Sequence, residues 1–407
     1  MPLALWALTI SAYAIGTTEF VIVGLLPGIA QDLDVSLPSA GLLVSLYALG
    51  VAIGAPVLTA LTGRWPRKTV LLCLMGLFTL ANLLAWQAPG YTSLISARVL
   101  TGLTHGVFFS IGATIATSLV SKEKAARAIA IMFTGLTVAL VTGVPIGTWV
   151  GEHFGWRMTF ALVSGLGVIA FLGCALLIPR GAKPQNPAPL RSQFSVLKTP
   201  ALLKVYAMTA LGYGGSFVAF TFLSPILTQV TGLSVNAVAL VLLVYGVSVA
   251  IGNLAGGMLS DRLGAVPALK WVFGLLALVL VLFGFAAPHP LLAILVVLAW
   301  GAVAFGNVPP LQVLVVKQAE VFTPHAVDVA SGLNIAAFNV GIAGGAFIGG
   351  LIVERFGLMN TPWIGALLVL AAWGLSWTAH RHPKAAATSG EAPAQRGAKA
   401  EEISSAT

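Results

Sequence analysis

Charged residues cut this sequence into stretches that stay apolar for about twenty residues at a time, and no other feature limits the possible folds so strongly. The run from Val272 to Phe285 contains no charged and no hydroxyl-bearing residue. About 20 apolar residues is the length of one helix across a bilayer, where backbone polar groups must be satisfied within the segment itself. Of the 407 residues 58% are hydrophobic and 8% charged, the latter about a third of the usual share. A water-soluble fold of this length cannot hide so much apolar surface, and the total matches about twelve spans. Continuous runs, rather than segments of about ten residues alternating in polarity, exclude a transmembrane β-barrel. The expected class is an all-α membrane protein with twelve transmembrane helices.

Apolar runs bounded by charged or Gly/Pro-rich segments fall at 4–29, 39–61, 69–87, 94–119, 128–151, 157–178, 202–229, 237–259, 269–287, 291–315, 327–352 and 359–379. With a cytoplasmic N-terminus, 18 of the 21 Lys and Arg residues lie in inside loops or the tail. Only Arg98, Arg157 and Arg355 fall toward the outside. The positive-inside rule therefore predicts a multi-pass protein of the cell inner (plasma) membrane with both termini cytoplasmic. The formal charge of +9 is thereby placed in loops and needs no nucleic acid partner. The first run passes through Gly16 and Glu19 to about Ala30, which is span length, so a cleavable signal is not expected. Cys73 and Cys174 lie inside apolar runs and read as small buried residues.

The hydrophilic segment Pro179 to Pro200 divides the spans six and six. The expected organisation is a six-helix bundle over 1–178, a cytoplasmic linker over 179–200, a second six-helix bundle over 201–380 and a disordered tail over 381–407. That tail has no large apolar residue except Ile403 and cannot build a core. The halves also align. An offset of 198 pairs Gly16 with Gly214, Pro27 with Pro225, Ser36 with Ser234, Tyr47 with Tyr245, Val51-Ala52-Ile53-Gly54 with Val249-Ala250-Ile251-Gly252, and Arg64 with Arg262. Farther on, an offset of 202 pairs Gly143 with Gly345, Gly147 with Gly349, and Glu152, Phe154 and Gly155 with Glu354, Phe356 and Gly357. Six is an even number of spans, so these are parallel repeats.

The segment Gly257-Met258-Leu259-Ser260-Asp261-Arg262-Leu263-Gly264 after the eighth span, and Gly63-Arg64-Trp65-Pro66-Arg67-Lys68 after the second, resemble the signature loop of the major facilitator superfamily. The second copy lacks the basic pair, and the first has Gly63 in place of the acid. In the fourth span, Arg98-x-x-x-Gly102-x-x-x-Gly106 is similar to that superfamily's fourth-span motif. In the fifth, Gly135, Gly143-Val144-Pro145-Ile146-Gly147 and Gly151 resemble the glycine-proline motif of its antiporters, with Val144 where Gly is usual. Gly16-Thr17-Thr18-Glu19-Phe20, Gly24 to Pro27, Tyr47 to Gly50 and His105-Gly106-x-Phe108-Phe109 look like the bacterial sugar, purine-nucleoside and multidrug efflux branch, the twelve-span drug:proton antiporters. The resemblance covers about residues 1 to 380. It implies two pseudo-symmetric six-helix bundles around a central cavity, opened alternately to each side.

Glu19 is the only acid placed deep in a span, and no lysine or arginine is expected at matching depth to neutralise it. Such a carboxyl is neutral when dry and ionised when water reaches it, which is the chemistry of proton coupling; a structural acid bonded to a neighbouring threonine is the other reading. Arg98 either faces the bundle interior or snorkels to the outer surface. His105, two turns after it, is expected on the same face, as a second titratable group or as a packed, neutral histidine. These three are the candidates for proton coupling. Candidates for the substrate cavity are Tyr13, Thr18, Tyr47, Phe108, Tyr213, Asn253, Gln312, Asn334 and Asn339, each of which serves equally as packing or as glue between helices. Conformational gating falls to Arg64, Arg67, Lys68, Asp261 and Arg262, as a cytoplasmic latch or as simple anchors, and to Gly143, Pro145 and Gly147, as switch or tight packing. No histidine or cysteine stands at metal-ligand spacing nearby, so no metal and no cofactor are expected, with protons as the coupling ion. The expected activity is export of a sugar, nucleoside or amphipathic drug in exchange for protons by a monomer. Symport or facilitated uptake on the same fold remains open, and a membrane-embedded enzyme lacks a clustered catalytic set.

Overall fold

The computed structural model describes residues 2–62, 65–121, 124–179 and 196–379. Arg64, most of the expected linker and all of the expected tail lie outside them. Twelve helices are long and apolar enough to cross a membrane. In the first half they are α1 (Leu3–Asp32), α2 (Leu37–Leu61), α3 (Arg67–Trp86), α4 (Tyr91–Ser118), α5 (Ala125–Val138 continued by Val144–Phe154) and α6 (Trp156–Leu177). The second half holds α7 (Pro200–Phe220 continued by Leu223–Gln229), α8 (Val235–Leu263), α9 (Ala265–Ala286), α10 (Pro290–Gly306 continued by Val308–Phe322), α11 (Val327–Phe356) and α12 (Thr361–Thr378).

Every expected span is present, with ends within four residues of expectation in all cases but one. The exception is α10, which runs to Phe322 rather than 315. A helix need not stop where the hydrocarbon stops, and Lys317, Gln318 and Glu320 ride on its last turns. For the same reason Gly257 to Leu263 form the final turns of α8 rather than a loop after it, and Gly264, at φ +89°, ends the helix. Three spans expected to be continuous are broken. In α5 a π turn over Ala139–Gly143 precedes Pro145, whose missing N–H loosens the ladder there. The breaks in α7 and α10 fall at Thr221-Phe222 and at Asn307, the latter just before Pro309-Pro310.

The repeat extends to details of capping and packing. Ser36 and Ser234 each accept a backbone N–H at the start of α2 and α8, at 3.2 and 3.3 Å. Gly155 and Gly357 both close their helices at positive φ. A Cβ on Gly54 would lie 2.8 Å from the Leu103 carbonyl oxygen, and one on Gly252 would lie 1.8 Å from that of Ala302. The α2–α4 crossing is thus reproduced as α8–α10, with backbones too close for a side chain.

Two cores divide the molecule. One runs through the Asp32 end of α1, the start of α2 and most of the second half, joining the halves. The other, from Ala4 to Ile178, stays within the first half at the opposite end of its helices. At the joined end the buried ring of Phe222, at the break in α7, fits between Gly41 of α2 and Gly349 of α11. Gly350 of α11 lies against Pro38 of α2. Near the middle, Gly246 of α8 meets the Leu140 carbonyl in the π turn of α5. The halves therefore meet at the Asp32 end and part toward the end where α1 begins.

Candidate functional site: a polar cluster facing an aromatic box

The centre of α1 is buried on nearly all sides, so any polar group there must find partners in neighbouring helices. Glu19 is 8% exposed, and its Oε2 lies 3.8 Å from Nδ1 of His105 on α4. The same Nδ1 is 2.9 Å from the hydroxyl of Tyr47 on α2. Arg98, one of the largest fully buried side chains, lies over the Tyr47 ring at 4.2 Å. Its Nη1 donates to the Thr18 carbonyl at 2.7 Å, and its Nε to the Leu43 carbonyl at 3.4 Å. Thr18 in turn donates to Oδ1 of Asn82 on α3 at 2.9 Å.

This corrects the expectation that no cation shares the depth of Glu19. Arg98 reaches the carbonyl of the adjacent residue, because α4 begins at Tyr91 and carries Arg98 two turns inward. A buried guanidinium has five donors to place, which is why it takes backbone carbonyls from both α1 and α2. The snorkelling alternative is thereby removed. The register of α4 also sets Arg98 and His105 on one face, both against Tyr47.

Across from this cluster, the second half presents aromatic rings. Tyr213 of α7 lies 5.2 Å from Phe217, 5.4 Å from Phe305 of α10 and 5.0 Å from Phe338 of α11. Phe20, the residue after Glu19, meets Phe217 and Phe305 at 6.4 and 6.2 Å. Tilted and edge-on rings of this kind form a box with apolar faces and a single phenol. The sequence reading named Tyr213 but missed Phe20, Phe305, Phe338 and Asn82. The repeat offered a signal for one member, since Phe217 is the partner of Glu19 at the offset of 198.

The other candidates separate by location. Asn334 is fully buried; it accepts from Thr209 at 2.7 Å and donates to Gln312 at 3.0 Å, and Gln312 donates to Ser331, so these amides bind α7, α10 and α11 together. Asn339 gives its amide to the Ile335 carbonyl at 3.0 Å, while its Oδ1 is buried without a partner. Asn253 is half-buried on α8. Tyr13 lies 3.3 Å from the Thr142 hydroxyl, and Phe108 packs edge-on against Phe109 inside the first core. Gly135, Gly143, Gly147 and Gly151 all face α1, where an added Cβ on Gly143 would lie 2.2 Å from the Thr17 hydroxyl. Pro145 starts the second piece of α5. Lys68 donates to the carbonyls of Ala175 and Ile178, both at 2.6 Å, tying α3 to the end of α6 within its own half. Arg67 is buried. Asp261 and Arg262 are exposed, and among the described residues neither takes part in an ion pair. No group of three or more metal-ligating side chains occurs among the described residues.

These features agree with comparisons to known proteins. The model of the Major Facilitator Superfamily matches residues 8–320. The MFS-type transporter YtbD of Bacillus subtilis is 51% identical over 91% of this chain and 93% of the relative. The inner membrane transport protein YdhP of Escherichia coli is 41% identical, covering 93% of this chain and 97% of the relative. A chloramphenicol resistance protein of Streptomyces lividans is 34% identical, over 91% and 95%. Among solved structures, the nucleoside transporter NupG superposes with a TM-score of 0.75 at 16% identity, covering 93% of this chain and 99% of that one. The chain is a multi-pass transporter, not an enzyme, and belongs to the major facilitator superfamily.

Proposed function

We propose that this protein exports a small amphipathic organic solute in exchange for protons by alternating access, with Glu19 as the proton carrier. One observation carries the reading: the carboxyl, guanidinium and imidazole at the centre, Glu19, Arg98 and His105, all belong to the first half and face an aromatic box built largely by the second. Where the first half has Glu19 and Tyr47 beside Arg98 and His105, the second has Phe217 and Tyr245 beside Val297 and Ala304. This register follows from Gly102 and Gly301, which pack on the carbonyls of Tyr47 and Tyr245. One half is thus equipped to exchange a proton and the other to stack a solute. A flat molecule with apolar faces suits the box, a class that includes nucleosides and drugs such as chloramphenicol, toward which two of the similar proteins point.

The positive-inside distribution makes the joined end extracytoplasmic, and the described conformation is then inward-open. The membrane is the inner one, as the YdhP relative suggests, and the positive-inside rule puts both termini on the cytoplasmic side. The protein works as a monomer and needs no cofactor beyond the coupling proton. Glu19 is buried in the described state; when water enters from the cytoplasm it releases its proton there and leaves a carboxylate beside the solute site. Closing that side and opening the other exposes it for reprotonation. Glu19→Gln fixes the neutral form with little change of shape. In everted membrane vesicles loaded with a ligand found by thermal-stabilisation screening, this variant is expected to bind and exchange solute but not to accumulate it under an imposed ΔpH. Proton-driven accumulation at the wild-type level would make Glu19 structural.

A further inference from the structure

Tyr47 entered the sequence reading as cavity wall, and its equivalent Tyr245 behaves as one. Tyr245 stacks on Phe220 at 4.9 Å and meets the edge of Trp300. In both halves the backbone of this tyrosine receives a glycine from the neighbouring helix, Gly102 or Gly301. Packing therefore explains the residue type in both places. It does not explain the hydroxyl, which meets a ring nitrogen only in the first half, because the position of His105 is Ala304 in the second.

Nδ1 of His105 has two neighbours that compete for it, the Tyr47 hydroxyl at 2.9 Å and the Glu19 carboxyl at 3.8 Å. The nearer one holds the hydrogen-bonding distance. We infer that Tyr47 is a positioning residue for proton coupling: its hydroxyl donates to Nδ1 of His105 and keeps that nitrogen an acceptor, so that the coupling proton resides on Glu19 rather than being shared with the imidazole. This inference rests on Glu19 being the proton carrier. The neutral imidazole then bears its hydrogen on Nε2, on the side of the ring away from the Tyr47 hydroxyl. For Nδ1 to take a proton, Tyr47 must turn its O–H away.

The charged and titratable groups around this pair are few. Glu19 comes from α1, Arg98 and His105 from α4, Tyr47 from α2 and, beyond Phe217, Tyr213 from α7. From α3 the cluster receives only the carboxamide of Asn82, and from α5 the ring of Phe133 beyond Phe109. Arg98 lies over the face of the Tyr47 ring, at 4.2 Å, and that contact does not need the hydroxyl. Tyr47→Phe therefore removes one hydrogen bond and leaves the stacking in place.

The test is the pH profile of ΔpH-driven solute accumulation in proteoliposomes, alongside ligand binding as the control for folding. Tyr47→Phe is expected to move the profile by at least about 0.5 pH unit, the scale of one hydrogen bond to a titrating nitrogen. In a His105→Asn background the same substitution is expected to move nothing, because Nδ1 is gone. A purely structural hydroxyl would shift both backgrounds alike or neither, and either result overturns the inference. If Tyr47→Phe does not give folded protein, His105→Asn alone still decides, since it must move the profile by a similar amount. Should Glu19→Gln retain proton-driven accumulation, the proposed function fails. Should Glu19→Gln lose it while Tyr47→Phe keeps the wild-type profile, the inference about Tyr47 fails alone.

Discussion

Phe222→Ala probes the contact that holds one end of the protein shut. The ring is 0% exposed and sits between Gly41 of the first half, whose added Cβ would lie 2.8 Å from Cζ, and Gly349 of the second, at 3.0 Å from Cε2. A buried phenylalanine removes about 200 Å² from water, worth about 5 kcal/mol at 25 cal/mol per Å². With about half of that area against the Gly41 side, opening this end exposes surface worth about 2.5 kcal/mol, and truncation shifts the closed-to-open ratio about 60-fold. The assay is the distance distribution between spin labels on Gln31, in the last turn of α1, and Asn360, between α11 and α12, both exposed at this end. The variant is expected to gain a long-distance population and to retain most of its melting temperature. An unchanged distribution with a large loss of thermal stability would refute the reasoning, because the ring would then serve only its own half.

Two further substitutions test the basic and acidic groups of the signature loops. Lys68→Met removes two hydrogen bonds to the terminal carbonyls of α6, and a loss of about 2 kcal/mol is expected in detergent melts with little change in the balance of conformations; a shifted distance distribution at unchanged stability would instead make Lys68 a gate. Asp261→Asn acts where the exposed Asp261 has no ion-pair partner among the described residues, so the described conformation is expected to keep its stability while the opposite one loses a latch. Labels across the two cytoplasmic sides are expected to show a larger open population, and an unchanged distribution would mean that Asp261 only anchors its helix end.

The spans were legible because hydrocarbon imposes a length and a composition that the sequence cannot disguise. Caps and crossings were legible through the repeat: Ser36 and Ser234, or Gly54 and Gly252, stand in one register because the same local geometry is required twice. The breaks in α7 and α10 were not read, since an apolar run carries no mark of a single broken turn, although Pro309-Pro310 gave a hint at one of them. The pairing of Arg98 with the level of Glu19 was hidden for a different reason. Depth was counted from the ends of apolar runs, and α4 begins three residues before its run, so Arg98 lies deeper than its place in the run suggests. The aromatic box was invisible among 20 phenylalanines, because what distinguishes Phe20 and Phe305 is their contact across the halves, and Phe338 its contact with Tyr213.

The claim that the protein couples solute to protons in opposite directions is tested most directly by following protons themselves. Proteoliposomes with a pH-sensitive dye in the lumen, given a stabilising ligand from outside, are expected to turn alkaline inside as solute enters and protons leave. Glu19→Gln vesicles are expected to take up the solute passively with no dye response. Acidification of the wild-type lumen would mean symport, and uptake without any pH change would mean an uncoupled carrier; either would contradict proton exchange at Glu19.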